Sequence, residues 1–195
     1  MYMTDIDSLR GCNYQIIAPD PPWNYRDKAS AGARGAIYKY PCLGEPALCR
    51  LPVGDLAAKD AILAMWTTGP MLVDGTAERV ARAWGFVPKT MLFTWVKLTK
   101  TGKRWFWGMG RWTRANPEYM ALYTKGKPAR VSAGVHSIIE APIAEHSRKP
   151  AEYRDRLVAL MGDVPRIELF SREDINDGWD RWGNEPEGSL TALKG

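Results

Sequence analysis

The chain has 195 residues, of which 45% are hydrophobic, 25% are charged and nine are tryptophan. This composition excludes a disordered protein and fits a single compact domain with a buried core. The formal net charge of +5 favours a polyanionic partner without requiring one.

Five short apolar runs predict buried strands, and two amphipathic stretches predict helices. The strands cover residues 14–18, 61–66, 90–96, 119–123 and 166–170. The first helix follows the second strand and ends near Gly85, with an apolar face of Val73, Ala77, Val80, Ala81 and Trp84. The second lies between Pro150 and Gly162, with an apolar face of Tyr153, Leu157, Leu160 and Met161. This alternation predicts an α/β fold with a largely parallel sheet, whose ligands bind at the C-terminal strand ends.

Two long segments without a strand or helix pattern are predicted to be functional loops. They cover about residues 24–52 and 98–116, and each follows a strand. We expect both to be flexible, and we expect a C-terminal tail over about residues 186–195. The whole chain, residues 1–195, is predicted to form one domain.

The second loop interleaves cations with aromatic rings in the sequence KLTKTGKRWFWGMGRWTR, which includes Arg104 and Trp112. Cations that contact phosphates and flat rings that stack on bases are the two components of a surface for single-stranded nucleic acid or a flipped base. The alternative interpretation is a solvated basic hairpin whose aromatic side chains pack inward.

Residues 16–23, IIAPDPPW, end an apolar strand on an acid that is followed by two prolines and a tryptophan. The prolines fix φ near about −65° and remove two donors, so the turn is stiff and leaves carbonyl acceptors beside the Asp20 carboxylate. Such a site suits a nitrogen that carries two hydrogens, such as the 6-amino group of adenine, with Trp23 stacked on the base. The alternative is a proline turn in which Asp20 caps a neighbouring group and Trp23 lies in the core.

An exocyclic amine is a poor nucleophile because its lone pair is delocalised into the purine ring. Two acceptors on its hydrogens favour a pyramidal nitrogen with a localised pair, so no strong base is required. The remaining requirement is in-line attack on an activated methyl group at near-attack distance.

The motif APDPPW resembles the catalytic motif of the MT-A70 family of adenine-N(6) methyltransferases, which includes small bacterial and phage enzymes. Seven further segments resemble that family's pattern in the same order. They are YPCL with LPV, AMWTT, TWVK, NPEYMALYTKG, HSRKP, IELFSR and WDRWGNE. The resemblance covers most of the chain between residues 14 and 185, and it implies a Rossmann-like methyltransferase sheet in which the catalytic motif precedes the cofactor motif.

The resemblance also implies S-adenosylmethionine as the methyl donor. The catalytic turn is then Asp20, Pro21, Pro22 and Trp23, with Asp20 near both the cofactor's amino group and the target amine. The implied cofactor-binding residues are Asp20, Lys149, Glu168, Phe170, Arg172, Asn184 and Glu185. Taken singly, Lys149 is also compatible with a surface lysine and Arg172 with a surface ion pair. Asp174 and Asn176 are both candidates for the ribose contact.

On the substrate side the resemblance implies Tyr40, Lys97, Asn116 and Glu118, and we add Trp66, Arg104 and Trp112 as further substrate-binding candidates. Two positions depart from the family pattern, because Cys42 stands where threonine is usual and Pro117 stands where a histidine is expected. DNA is the favoured substrate, as single strands or as a flipped adenine. RNA is the alternative, and a catalytically silent nucleic-acid-binding subunit is a hypothesis of a different class.

Compartment and further partners are predicted from residue usage. Three cysteines without C-x-x-C spacing favour neither a disulfide framework nor a zinc site, and neither His136 nor His146 has a partner at metal-ligand spacing. The first ten residues carry acids where a signal peptide needs a basic region, and no apolar run approaches about 18 residues. We therefore expect a cytoplasmic protein without a metal or a membrane partner, as a monomer or a homodimer.

Overall fold

The computed structural model describes residues 6–23, 42–110, 112–144, 148–171 and 178–183. The strands within these ranges are β1 Tyr14–Pro19, β2 Ala57–Thr67, β3 Val87–Leu98, β4 Glu118–Lys125, β5 Ile138–Pro142, β6 Arg166–Leu169 and β7 Asp180–Trp182. The α-helices are α1 Glu45–Cys49, α2 Gly69–Val73, α3 Thr76–Ala83 and α4 Glu152–Met161, and short 3-10 helices cover Asp7–Leu9 and Val53–Asp55. No helix in these ranges is long and apolar enough to cross a membrane.

The strands form one mixed sheet in the order β5-β3-β4-β2-β1-β6-β7. β4 pairs antiparallel with both β2 and β3, whereas every other neighbouring pair is parallel. Among the described strands, β4 alone therefore runs against the common direction. The prediction of a largely parallel α/β sheet is confirmed. Since β4 is reversed, its N-terminus lies at the sheet edge where the other strands end.

Alternate residues of the central strands face two separate apolar cores, as the period of a strand requires. In β2, Leu63 and Met65 pack into the core that contains α3, and Ala64 and Trp66 pack into the core that contains α4. Ile16 and Ile17 divide between the two cores in the same way. The sheet is thus the middle layer between helices, so both faces of its central strands are closed to solvent.

The predicted first helix is two helices in the structure. Gly75 has a φ of 76°, which is left-handed backbone, and it separates α2 from α3. Val73, which was predicted to face the core, is 91% exposed because it ends α2 before the break. The predicted second helix is confirmed: α4 begins two residues after Pro150 and ends at Gly162, whose φ is 87°.

Three elements were absent from the sequence interpretation. β5 is an edge strand whose Ile138 is exposed, and β7 has only three residues. The predicted loop over residues 24–52 is described from residue 42 onward, and there it contains α1, whose Leu48 is fully buried. The prediction of a continuous loop is therefore wrong for Glu45–Cys49, because the leucine of this short helix packs against the core.

Candidate active site

The C-terminal edge of the sheet collects most of the described candidate residues. Asp20 follows β1 directly, Lys97 lies near the end of β3, and Glu168 lies near the end of β6. Glu118 is the first residue of the reversed strand β4 and therefore lies at the same edge. Lys149 comes from the segment before α4. The topology of the sheet, and not proximity along the chain, brings these five residues together.

The DPPW turn is fixed by backbone hydrogen bonds. The Asp20 N–H donates to the Leu169 carbonyl at 3.1 Å, which extends the pairing of β1 with β6 by one residue. The Trp23 N–H donates to the Pro21 carbonyl at 2.8 Å, and the Leu43 N–H donates to the Pro22 carbonyl at 3.0 Å. The turn was predicted to leave backbone carbonyls free as acceptors; those of Pro21 and Pro22 each already accept one hydrogen bond, although each oxygen retains a second lone pair.

Trp23 and Trp66 are structural in this protein. The Trp23 ring is 5% exposed and its Nε1 donates to the Trp66 carbonyl at 3.1 Å. This matches the alternative in which Trp23 lies in the core, and it contradicts an open stacking position. Trp66 is 1% exposed and packs edge-to-face against Trp95 and Tyr153, which contradicts a direct substrate contact. Trp23 packs into the core that contains α3, and Trp66 packs into the core that contains α4.

A chain of four alternating charges runs along the edge. The Lys149 ammonium donates to Asp20 Oδ2 at 2.8 Å and lies 3.2 Å from Glu118 Oε2. The Lys97 ammonium donates to Glu118 Oε1 at 2.6 Å. Lys149 also lies 5.7 Å from the centre of the Trp66 ring, at cation–π distance. These contacts exclude the alternative of a surface lysine at position 149.

The network keeps the Glu118 carboxylate and the Lys149 ammonium ionised. Burial alone would raise the pKa of Glu118, but the neighbouring Lys149 and Lys97 ammonium groups outweigh burial and hold that pKa below its usual range. Burial alone would lower the pKa of Lys149, but Asp20 and Glu118 raise it above its usual value. At neutral pH the site therefore holds fixed charges of both signs.

Glu168 is held from one side by two residues that sequence reasoning did not assign to the site. Tyr153 Oη and Arg154 Nη1 donate to its Oε2 at 2.5 and 2.8 Å. Its Oε1 has no hydrogen-bond partner among the described residues and is not sealed from solvent. Burial raises the pKa of Glu168 above its usual value, and Tyr153 and Arg154 offset that rise only in part. Tyr153 was predicted only as a core residue, because its position on the helix face gave no sign of the carboxylate.

The chain beyond β6 carries a strained residue. Phe170 has a φ of 62°, which is unusual for a residue with a side chain, and its buried ring packs edge-to-face on Trp182. The neighbouring Gly183 approaches the backbone so closely that a Cβ would lie 2.2 Å from the Ser171 oxygen. Strain and close backbone approach at a sheet edge are typical of a ligand site, and the glycine in WGNE was the available sequence signal.

Asn116 stabilises the backbone and is closed to a substrate. Its Oδ1 accepts from the Lys97 N–H at 3.0 Å, and its Nδ2 donates to the carbonyls of Lys97 and Phe106 at 2.9 and 2.5 Å. The side chain is buried, so the prediction of a direct substrate contact is contradicted. Its amide groups are used to hold the start of the loop against the end of β3.

The loop that follows β3 extends into solvent. Arg104 is exposed, and Trp105, Trp107 and Trp112 are 57%, 56% and 94% exposed. The alternative in which these aromatic side chains pack inward is therefore wrong for the three tryptophans. Phe106 is the partly buried ring of the segment.

Several predicted site residues lie outside the described ranges. They are Tyr40, Arg172, Asp174, Asn176, Asn184 and Glu185, and His146 also lies outside. Their assigned roles stay predictions. Within the described part of the chain, no group of three His, Cys, Asp or Glu side chains has an arrangement that could hold a metal ion.

A largely parallel sheet between helices, with charges and acceptors gathered where its strands end, is consistent with a Rossmann-like methyltransferase fold. The family model MT-A70 matches residues 14–185, and the chain belongs to this methyltransferase family.

Three curated relatives show how far the similarity extends. Type II methyltransferase M.MunI of Mycoplasma sp is 32% identical over a 190-residue alignment, and the match covers 88% of this chain and 77% of that protein. N6-methyladenosine RNA methyltransferase MTA1 of Cryphonectria parasitica is 27% identical, and the match covers 88% of this chain and 51% of that protein. N(6)-adenine-specific methyltransferase METTL4 of Mus musculus is 25% identical, with 90% of this chain and 38% of that protein matched. The match therefore spans most of M.MunI, about half of MTA1 and less than half of METTL4.

Proposed function

We propose that this protein transfers a methyl group from S-adenosylmethionine to the 6-amino group of adenine in DNA. The observation that carries the proposal is the Asp20 carboxylate at the sheet edge. Its Oδ2 binds the Lys149 ammonium, and its Oδ1 has no hydrogen-bond partner in the described part of the chain. A carboxylate that is fixed through one oxygen presents the other as an acceptor for an amine.

The residues at the edge fit the proposed cofactor. S-adenosylmethionine carries an ammonium group, ribose hydroxyls and an adenine amino group, all of which donate hydrogen bonds. A ligand of this fold binds at the C-terminal ends of the parallel strands, so acceptors are needed there. Glu168 Oε1 is an oriented acceptor, because Oε2 of the same carboxylate is fixed by hydrogen bonds from Tyr153 and Arg154. Asp20, Lys149, Glu168 and Phe170 would hold the cofactor, together with the predicted contacts Arg172, Asn184 and Glu185. When bound, it supplies a methyl group activated by a sulfonium.

The side chains of this protein contribute orientation and charge. Asp20 Oδ1 accepts a hydrogen from the target amine and so favours a pyramidal nitrogen. As that nitrogen attacks, it gains positive charge, and the Asp20 carboxylate stabilises this charge before the amine releases one proton to solvent. Lys149 and Glu118 hold Asp20 in place through the described ion pairs. Orientation of this kind contributes up to about 7 to 11 kcal/mol in well-aligned reactions.

DNA is the first substrate to test, and RNA is the alternative. The Type II methyltransferase M.MunI is matched over 77% of its length, whereas the relative named as an RNA methyltransferase is matched over 51% of its length. Cytoplasmic location, a single domain and the choice between monomer and homodimer stay predictions.

The test is transfer of a tritiated methyl group to adenine-containing oligonucleotides by the wild type, Asp20→Ala and Asp20→Asn. We expect both variants to lose about 100- to 1,000-fold in rate, the range for removal of one transition-state-stabilising group. Asp155→Asn is the matched control, because Asp155 is an exposed acid on α4. Equal rates for the wild type and Asp20→Ala would reject the site. Oligonucleotide binding without any methyl transfer would favour the silent-subunit alternative.

A further inference from the structure

The excess positive charge of the protein is concentrated in one segment. Residues 99–115, here called the β3–β4 loop, contain five of the 27 lysines and arginines and none of the 22 acids. The remaining residues therefore include 22 basic and 22 acidic side chains and are formally neutral. Because the whole formal net charge lies in this 17-residue loop, the loop is the part of the chain that attracts a polyanion.

The cations of the β3–β4 loop differ from arginines on the helices. Lys103, Arg104 and Arg114 are exposed and have no ion pair or side-chain hydrogen bond in the described part of the chain. By contrast, Arg79 pairs with Glu45 at 2.6 Å and Arg82 pairs with Glu78 at 2.8 Å. Lys103, Arg104 and Arg114 are therefore available for external anions, whereas Arg79 and Arg82 are already neutralised.

The aromatic side chains of the loop are exposed in the same place. Trp105 and Trp107 are two residues apart in the loop, and both are more than half exposed. Their rings meet edge-to-face with centroids 6.0 Å apart, which leaves ring faces open. Trp112 and Met109 are even more exposed. Three exposed tryptophans among unpaired cations match the composition of a stacking surface for bases.

The base of the loop is ordered and is joined to the active-site edge. The Thr99 N–H donates to the Arg104 carbonyl, and the Phe106 N–H donates to the Lys97 carbonyl, each at 2.8 Å. Asn116 adds its hydrogen bond to the Phe106 carbonyl. Lys97, at the start of the loop, is ion-paired with Glu118 in the network that reaches Asp20. A nucleic-acid strand bound along the loop would therefore lead toward the Asp20 carboxylate.

We propose that the β3–β4 loop binds single-stranded nucleic acid, with Lys103, Arg104 and Arg114 on phosphates and Trp105, Trp107 and Trp112 stacked on unpaired bases. In a duplex the faces of the bases are covered by their neighbours, so exposed indole rings select a strand whose bases are already open. The inference rests on the proposed function, because it names the form of the nucleic acid that this active site receives.

The experiment measures binding of a fluorescent adenine-containing 20-nucleotide strand, and of the same sequence as a duplex, across a salt series. We expect the single strand to bind at least about 10-fold more tightly. Trp112→Ala should weaken binding about 5- to 150-fold, which is 1 to 3 kcal/mol for one stacked base, without a change in salt slope. Arg104→Ala should reduce the slope of log K against log salt by about 0.7, the value for one lost phosphate contact on a single strand.

Two matched controls separate these effects from general ones. Lys89→Ala removes the same charge at the opposite end of β3, and Val73→Ala trims another exposed apolar side chain. Both should leave affinity and slope unchanged. Circular dichroism melts check that every variant is folded.

Three results would overturn the inference. They are equal or tighter duplex binding, unchanged affinity in Trp112→Ala, and a wild-type dimer that Trp112→Ala dissociates in sedimentation, which would assign the loop to a second copy of the chain. Methyl transfer by the wild type is measured in parallel. If the wild type binds single strands as expected but transfers no methyl group, the proposed function fails and the loop assignment stands. If it transfers methyl groups while the loop variants bind normally, the loop assignment fails alone.

Discussion

The active-site edge and the β3–β4 loop use charge in opposite ways. At the edge, Lys149 lies between Asp20 and Glu118 at 2.8 and 3.2 Å, Lys97 pairs with Glu118 at 2.6 Å, and both lysines are largely closed to solvent. In the loop, Lys103 and Arg104 extend into solvent with no acid in the segment. Paired interior charges fix positions, whereas unpaired surface charges attract a partner at a distance. The comparison assigns precise geometry to the edge and substrate affinity to the loop.

The difference predicts that substitutions at the edge affect stability and reaction, and that substitutions in the loop affect nucleic-acid binding. An interior ion pair that loses one member leaves a buried charge without compensation, which costs several kcal/mol. An exposed cation that is removed loses only its external contact. The predictions below test this division, in order of decreasing expected effect.

The largest expected effect is that of Glu118→Gln. The substitution leaves Lys97 and Lys149 with one carboxylate fewer, so we expect a loss of about 3 kcal/mol in the free energy of unfolding, the lower end for a broken buried pair. Urea unfolding at pH 7 measures this loss. A loss below about 0.5 kcal/mol would show that the network at the edge is no more constrained than a surface pair.

The pH dependence of that loss has a defined sign. The pKa of Glu118 is lowered in the folded protein below its ordinary value of 4.5, so its stabilising contribution is present above pH 4.5. The contribution disappears as the pH falls through the lower folded pKa. The difference between wild type and Glu118→Gln should therefore shrink below pH 4.5, and a difference that grows there would contradict the assigned ion pairs.

A smaller effect is expected for Tyr153→Phe, which removes one of the two hydrogen bonds to Glu168 Oε2. A hydrogen bond to a charged group contributes about 1.5 to 3 kcal/mol, so a less well-oriented Glu168 should weaken S-adenosylmethionine binding about 10-fold or more. Calorimetry measures the affinity, and the kinetic signature is a raised KM for the cofactor with little change in kcat. Tyr123→Phe is the control, because that buried phenol donates to no side chain in the described part of the chain. Equal affinities for the two variants would exclude a positioning role for Tyr153.

The smallest effect is expected for Arg82→Gln, which breaks the exposed pair with Glu78 on α3. Pairs of this kind contribute about 0.3 to 0.5 kcal/mol, so the variant should unfold within that margin of the wild type. Chemical unfolding of both proteins measures the difference. A loss comparable to that of Glu118→Gln would remove the distinction between buried and exposed pairs.

The positions of five strands along the chain followed from apolar runs. The prediction that all five are buried is wrong for β3, in which only Phe93 and Trp95 are buried and Met91 is 40% exposed. The missed elements lack that pattern. β7 is too short for a period to appear, and β5 is an edge strand whose Ile138 faces solvent. The break between α2 and α3 depends on the left-handed backbone of Gly75, which a helical pattern of apolar residues does not reveal.

The site was predicted in outline because its motifs fall at the ends of strands. Asp20, Lys149 and Glu118 lie together as expected for one site, although Asn116, Trp23 and Trp66 serve the interior. The sequence shows that a tryptophan is present but not which side of a turn it packs against. Arg154 was missed because its contact with Glu168 depends on how α4 packs on β6. Contacts of this kind are set by tertiary packing and have no local signal.

The most direct test of the central claim is digestion of the reaction product to nucleosides, followed by mass spectrometry. After incubation of the wild-type protein with S-adenosylmethionine and single-stranded DNA, the account predicts N6-methyldeoxyadenosine, at a yield that Asp20→Asn reduces at least about 100-fold. A methyl group on any other base or position, or N6-methyldeoxyadenosine at an unchanged yield from Asp20→Asn, would contradict it.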